Sequence, residues 1–295
     1  MAMVMVARDK GMFEAEGLDV ELQDFTAGKF ALQAFLGGSL DFAVSGEVPV
    51  TLATLQGNRL AVVTQVVGRT INEVRIVARR DGTASSDANA YAYFHAKKRK
   101  LATSFGGGPE FFTYNFLRKY GLTENSVDVI PLRPEEMPAA LASRSVDAIS
   151  IFDPFAFIAE RQLGADGVTF RAGDLYSELY VLVARPRDLD ERRQTIVAIL
   201  RALLKAHQMI QTDPAGAQAI VVKYTALQPE VVAGVWANFV FAPALDHVLT
   251  EYMNAEAHWA QEKGDVAPKA LLPDMRQVIH EGPLRSVAPG AVRLP

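Results

Sequence analysis

The sequence predicts an α/β protein wound twice, with two series of strand and helix units followed by a largely helical C-terminal part. Three observations carry this. Leu18, Val20 and Leu22 alternate with Asp19, Glu21 and Gln23, the period-2 pattern of a strand with one buried face. Glycines stand at the joints between apolar segments, with Gly11 suited to a left-handed helix C-cap and Gly17 to the turn after it. Finally, residues 34–47 lie over residues 140–153 without a gap, an offset of 147 − 41 = 106 between their aspartates. Each copy gives a helix end, a small-residue turn, an aspartate and an apolar strand that finishes in an acid, Glu47 or Asp153.

In chain order, a helix ends near Lys10, and the first series then runs strand 18–24, helix 28–37, strand 40–44, helix 48–56 and strand 60–67. Strands alternating with helices in this way predict a largely parallel sheet. Residues 73–79 read as a further strand, and a polar stretch at 81–89 follows. The second series runs helix 88–96, strand 100–104, helix 109–120, strand 127–132, helix 134–143, strand 146–152 and helix 154–163. Residues 178–184 read as a strand that returns to the first sheet. Helices are expected at 188–212, 214–224, 229–238 and 246–263, with Asp213-Pro214 and Gln228-Pro229 as stop-start signals. The resulting division is discontinuous, with 1–78 and 180–295 in one lobe and 79–179 in the other.

Composition narrows the function. The 295 residues are 49% hydrophobic, enough for a sizeable core, and 30 Lys plus Arg against 34 Asp plus Glu leave a net charge of −4. No global field draws such a chain to nucleic acid. Lys97-Lys98-Arg99-Lys100 is the one dense basic run, and it reads as a solvated turn before a strand. The absence of cysteine removes thiol nucleophiles, disulfides and thiolate-held metals. The apolar start Met1 to Ala7 has neither the basic flank nor the cleavage site of a signal peptide.

The best site candidate is Ser104-Phe105-Gly106-Gly107-Gly108-Pro109-Glu110, where a strand ends, glycines permit close backbone approach, and Pro109 fits the first helical position. Free amides at a helix N-terminus favour an anion. The spacing is not a dinucleotide fingerprint, since Phe111 stands where a third glycine would be, and no Lys-Ser/Thr follows as in a P-loop. Ser45-Gly46-Glu47 is the matching junction of the first series, and Phe152-Asp153 that of a second strand in the second series. Ligands of open α/β sheets bind outside the carboxyl ends of strands. Arg69 and Arg133, also near strand ends, offer bidentate partners for an acid group. Tyr176 and Glu178 precede the returning strand. Catalytic and metal constellations are missing: there is no Gly-x-Ser-x-Gly and no His-Glu-x-x-His, and His247 and His258 would stand roughly 16 Å apart along one helix.

The run Ala7-Arg8-Asp9-Lys10-Gly11-Met12-Phe13 and Glu16-Gly17-Leu18-Asp19-Val20 resembles the start of solute-binding proteins of ABC importers, of the nitrate/sulfonate/taurine class. Ala202-Leu203-Leu204-Lys205-Ala206 and Asp213-Pro214 are similar to that class's later helices, so the resemblance covers nearly the whole chain. It implies a two-lobe type II periplasmic-binding-protein fold with doubly wound sheets and a helical C-terminal extension. Relatives carry a strand and an export signal ahead of the first helix, so that first strand is expected to be missing here.

The implied function is extracytoplasmic binding of a small organic acid, a sulfonate, aminosulfonate or carboxylate, in the cleft between lobes. Delivery would be to a membrane permease and through it an ATPase. A monomer with no cofactor, no metal and no nucleic-acid partner is expected. The class carries ligand contacts at the strand-to-helix loop of Gly106 to Gly108, and with the strand-end residues above the expected contacts are Ser45, Gly46, Glu47, Arg69, Ser104, Phe105, Gly106, Gly107, Gly108, Glu110, Arg133, Phe152, Asp153, Tyr176 and Glu178. The aromatic residues would supply apolar wall, and the acids would suit an amino group or hydroxyls on the same ligand. Two alternatives share the fold. Enzymes on it include lyases, transferases and pyrimidine-precursor synthases, the last with a cysteine-rich motif absent here; effector domains of transcription regulators begin with a helix-turn-helix that this chain lacks.

Overall fold

The computed structural model describes residues 1–82, 90–123 and 125–294. It divides into two compact units, Met1–Arg69 with Leu179–Val232 and Val240–Pro295, and Thr70–Glu178 with Ala233–Phe239.

Unit 1 starts with helix α1 (Ala2–Asp9), whose Ala2, Met3, Met5, Val6 and Ala7 are buried. Its end is set by Gly11 at φ +64°: the Met12 amide donates to the Ala7 carbonyl and the Gly11 amide to Arg8, which closes the last turn. Helix α2 (Gly28–Leu36), strand β1 (Ala43–Gly46), helix α3 (Glu47–Leu55) and strand β2 (Ala61–Thr70) follow. Residues 18–25 form no strand, contrary to expectation. Leu18, Val20 and Leu22 are half-buried while Asp19, Glu21 and Gln23 are exposed. Alternation therefore records an extended chain with two unlike faces, whereas a strand also needs a hydrogen-bonded neighbour, which this segment lacks.

The second unit contains strand β3 (Arg75–Arg79), helix α4 (Ala90–His95), β4 (Arg99–Thr103), α5 (Gly108–Lys119), β5 (Val127–Pro131), α6 (Met137–Ala142), β6 (Ala148–Ile151), α7 (Phe155–Leu163) and β7 (Gly167–Phe170). The first two residues of the helix expected at 88–96, with most of the polar stretch before it, lie outside the described residues. Unit 1 resumes with β8 (Tyr180–Ala184), α8 (Asp188–Glu191), α9 (Arg193–Thr212) and α10 (Pro214–Thr225). Helix α11 (Pro229–Trp236) and strand β9 (Phe239–Asp246) span unit boundaries, and α12 (His247–Lys263), α13 (Gly282–Val287) and β10 (Val292–Arg293) complete unit 1.

Each unit has its own five-stranded sheet, ordered β1-β8-β2-β9-β10 and β5-β4-β6-β3-β7. Both are mixed. Strand β8 lies between β1 and β2 and is antiparallel to both, pairing Gly46 with Tyr180 and Ala61 with Ala184. In the second sheet β4 runs parallel to β5 and β6, while β3 is antiparallel to β6 and β7. The returning strand and β3 thus interrupt what βα winding alone would make parallel. Pairing of β3 with β6 and β7 places residues 70–78 in the second unit, and residues 233–239 join it too, so the divisions at 78/79 and 179/180 shift accordingly.

Helices cover both faces of the second sheet. Val77, Ala102, Ile149 and Ile151 pack with Met137 and Leu141 of α6 and Ala156, Ala159 and Leu163 of α7. A separate aromatic cluster joins Tyr93 and Phe94 of α4, Phe116 of α5 and Phe170 of β7, with Phe94 edge-on to Phe116 at 5.7 Å. Arg99, expected in a solvated turn, is 1% exposed: it lies 3.9 Å over the Tyr93 ring, donates to the Tyr93 carbonyl and pairs with Asp81 at 2.6 Å. Its lysine neighbours Lys97, Lys98 and Lys100 are exposed.

Candidate functional site

In the second unit, β4 ends at Thr103 and the chain turns through Ser104, Phe105, Gly106 and Gly107 into α5. Gly106 has φ +75°, and Gly107 is an extended N-cap that offers no side chain to the helix, while Pro109 takes the first turn. Thr113 anchors that turn by donating to the Pro109 carbonyl at 2.6 Å and to Thr103 Oγ1 at 3.3 Å. Ser104 is buried and Phe105 is 42% exposed.

Two carboxylates stand on this helix N-terminus. Glu110 Oε2 accepts the Gly106 amide at 2.7 Å. Glu178 and Tyr176, both buried, pack directly on Gly108: a Cβ there would lie 2.7 Å from Glu178 Oε1 and 2.7 Å from the Tyr176 hydroxyl. The Tyr176 ring meets Phe111 edge-on at 5.4 Å. The structure thus assembles Ser104, Gly106, Gly107, Gly108, Glu110, Tyr176 and Glu178 at one strand-to-helix junction. Helix-end amides attract negative charge, and here part of that attraction is met by the protein's own acids.

The matching junction of unit 1 is Ser45, Gly46 and Glu47. Gly46 is the extended N-cap of α3, and the N-terminus of α2 sits against the same strand, because a Cβ on Gly28 would lie 2.8 Å from Ser45 Cα. Ser45 is fully buried, and its hydroxyl has no hydrogen-bond partner among the described residues. Glu47 is also fully buried. Its amide donates to the Leu179 carbonyl at 3.2 Å, and its Oε2 accepts the Leu179 amide at 2.9 Å.

Asp153, the counterpart of Glu47, sits in a structural network. Its Oδ1 pairs with Arg75 at 2.9 Å and accepts the Phe157 amide at 3.2 Å, and its Oδ2 accepts from the Asn238 amide group at 2.6 Å. Arg75 also forks onto both oxygens of Glu160, at 2.9 and 2.8 Å. Burial raises the Asp153 pKa, outweighing Arg75, Asn238 and the Phe157 amide. Burial pushes the less enclosed Glu160 up as well, but Arg75, Thr169 and Arg171 together hold it below the ordinary glutamate value. Phe152 packs edge-on with Phe155 at 5.8 Å against the unit's core.

The two arginines stand apart from these junctions in kind. Arg69 is an exposed residue within β2, and Arg133 is 63% exposed and paired with Glu135 at 2.9 Å. Sequence reasoning overlooked Gly28, Arg75 and Asn238. Gly28 carried a signal, a glycine just ahead of an apolar helix; the others are single polar residues in ordinary helical or strand surroundings.

The model of the NMT1-like family matches residues 1–225. The chain is 29% identical over 149 residues to a putative binding protein of Brucella abortus, covering 50% of this chain and 43% of that protein. It therefore spans about half the length of that curated relative. A putative aliphatic sulfonates-binding protein of Bacillus subtilis is 27% identical over 210 residues, 69% of this chain and 60% of that one. Among solved structures, the alkanesulfonate-binding protein SsuA from Xanthomonas axonopodis pv. citri, bound to MOPS, aligns with a TM-score of 0.79 at 20% identity, covering 96% of this chain and 95% of that one. At such identity the likeness speaks for the fold alone, which is the periplasmic-binding-protein fold. With its glycine-ended first helix, its two five-stranded sheets and a family match over three quarters of its length, this chain belongs to the NMT1-like family.

Proposed function

We propose that the protein is the solute-binding component of an ABC importer, taking a small organic acid outside the cytoplasm and presenting it to a membrane permease coupled to an ATPase. The two compact units act as the two lobes of that binder, and the protein works as a monomer that performs no covalent step. One observation carries the reading: the glycine-lined N-terminus of α5, with Ser104 before it and Tyr176 and Glu178 packed on Gly108. Helix-end amides suit a sulfonate or carboxylate head. The neighbouring acids Glu110 and Glu178 disfavour a bare anion such as nitrate, and favour a solute that also carries an amino group or hydroxyls, such as an aminosulfonate. Names of relatives that bind aliphatic sulfonates support the same class.

A thermal-shift screen of taurine, alkyl and aromatic sulfonates, aromatic carboxylates, nitrate and a pyrimidine tests this. A ligand at 100 times its Kd adds about 2.7 kcal/mol to stability. The expected result is stabilisation by an organic acid and none by nitrate. Gly107→Asp adds a carboxylate at an extended position whose Cβ has room, 3.7 Å from the Pro109 ring, so it should abolish the shift while the protein still folds. Stabilisation by nitrate alone would overturn the organic assignment, and turnover of a stabilising compound would favour an enzyme.

A further inference from the structure

A cavity of about 620 Å³ in unit 1 is lined by Arg59, Arg185, Pro186 and Arg187, with no acid in its lining. The sheet register brings these residues together. Ala61 pairs with Ala184, so the chain entering β2 at Arg59 runs beside the chain leaving β8 at Arg185. The same register places them at the end of β8 away from the Gly46–Tyr180 pair, and thus from the Ser45 to Glu47 junction.

Arg185 is held in place by its surroundings. Its guanidinium donates to the carbonyls of Leu40 at 2.8 Å, Asp41 at 3.2 Å and Phe35 at 3.4 Å, and lies 4.7 Å over the Phe35 ring. Carbonyls orient a guanidinium without cancelling its charge, and Asp188 forms only a long ion pair with it, at 4.0 Å. Arg59 and Arg187 are exposed, and their side chains make no hydrogen bond or ion pair among the described residues. Three like charges around one cavity repel each other, and a tetrahedral oxyanion relieves that repulsion while matching the guanidinium fork in geometry.

We propose that this cavity is a second anion site, one that takes a phosphate group, either as a free phosphate compound or on an anionic lipid headgroup. It is separate from the solute site proposed above and does not depend on it.

The test titrates the full chain with inorganic phosphate at constant ionic strength, following thermal shift and the backbone amide resonances of residues 59–61 and 184–188. Sedimentation with phosphatidylglycerol vesicles, against phosphatidylcholine alone, forms the second arm. Phosphate is expected to stabilise the protein beyond an equal ionic strength of chloride, in Gly107→Asp as in the wild type. The double variant Arg59→Ser/Arg187→Ser, which removes only exposed side chains, should weaken the interaction about tenfold or more and leave the unliganded melting temperature unchanged. Binding to phosphate alone identifies a free phosphate compound as the source; vesicle binding identifies the headgroup. Absence of both, or an effect that survives the double substitution, overturns the proposal.

Discussion

Glu47 and Glu256 form a fully buried pair of acids, with Thr51 Oγ1 donating to Glu256 Oε2 at 2.7 Å and the Leu179 amide donating to Glu47 Oε2 at 2.9 Å. Burial, and then the charge of Glu47, raise the Glu256 pKa well above the ordinary glutamate value. Two ionised carboxylates buried together would repel in a low-dielectric interior, which favours the protonated form of Glu256. An acid whose folded pKa is raised stabilises fully below its unfolded pKa, and that contribution is lost as pH rises toward the folded value. The Glu256 contribution to wild-type stability should therefore decline as pH rises from the ordinary glutamate range toward the raised folded value. Glu256→Gln keeps a neutral hydrogen-bonding group, so it should cost about 1 kcal/mol at low pH and flatten the decline. Urea unfolding at several pH values measures this; identical pH slopes for both proteins would refute the neutral Glu256.

Arg75 compensates the buried Asp153 and the half-buried Glu160. Its loss in Arg75→Ala leaves Asp153 and Glu160 without their main cation, which should destabilise the protein by about 3–5 kcal/mol. Arg75→Lys, which cannot fork onto Glu160, should fall between wild type and alanine in the same denaturant series.

Two helix-opening glycines should respond differently to the same added methyl. At Gly28 the new Cβ meets backbone, 2.8 Å from Ser45 Cα and 3.0 Å from the Gly46 nitrogen. At Gly108 it meets only side-chain ends, Glu178 and Tyr176 at 2.7 Å. Gly28→Ala is expected to cost about 1–3 kcal/mol, and Gly108→Ala less, because side chains give more readily than a strand. Circular-dichroism melts rank the two, and a larger loss at Gly108 would contradict the packing described.

Within the basic run, only Arg99 should matter for stability. Replacing Lys97, Lys98 and Lys100 by serine should change unfolding free energy by no more than about 0.5 kcal/mol, as for exposed positions generally. Arg99→Met, which removes the ion pair with Asp81 and the contact with Tyr93, should cost about 2–4 kcal/mol in chemical denaturation.

Local signals explain what was legible in the sequence. Gly11 and Gly17 adopt the positive φ angles that their positions suggested, and the Gly106 to Pro109 run does open a helix. Pairing was less visible. Residues 18–25 look like a strand in composition and lack one's neighbour, and β9 was hidden between two strong helical patterns with Pro243 inside it. The acid pair was illegible for a further reason: Thr51 and Glu256 are 205 residues apart, and an isolated glutamate on an amphipathic helix gives no sign that its face is buried. For the same reason Glu47 and Asp153 read as symmetric strand-end acids, although Leu179 takes up one and Arg75 the other.

The placement of β8 has a consequence for how the chain is made. All five strands of the second sheet lie between Arg75 and Phe170, so that sheet can be completed from one continuous stretch of nascent chain. The first sheet cannot. Strands β1 and β2 wait, with unsatisfied edges, until Tyr180–Ala184 has been synthesised and slides between them, and the partner of β2 on its other side comes later still. Long-range closure of this kind is slow, and open apolar edges invite association with other chains. During synthesis, the segment that carries β1 and β2 is thus the part most in need of a holding chaperone.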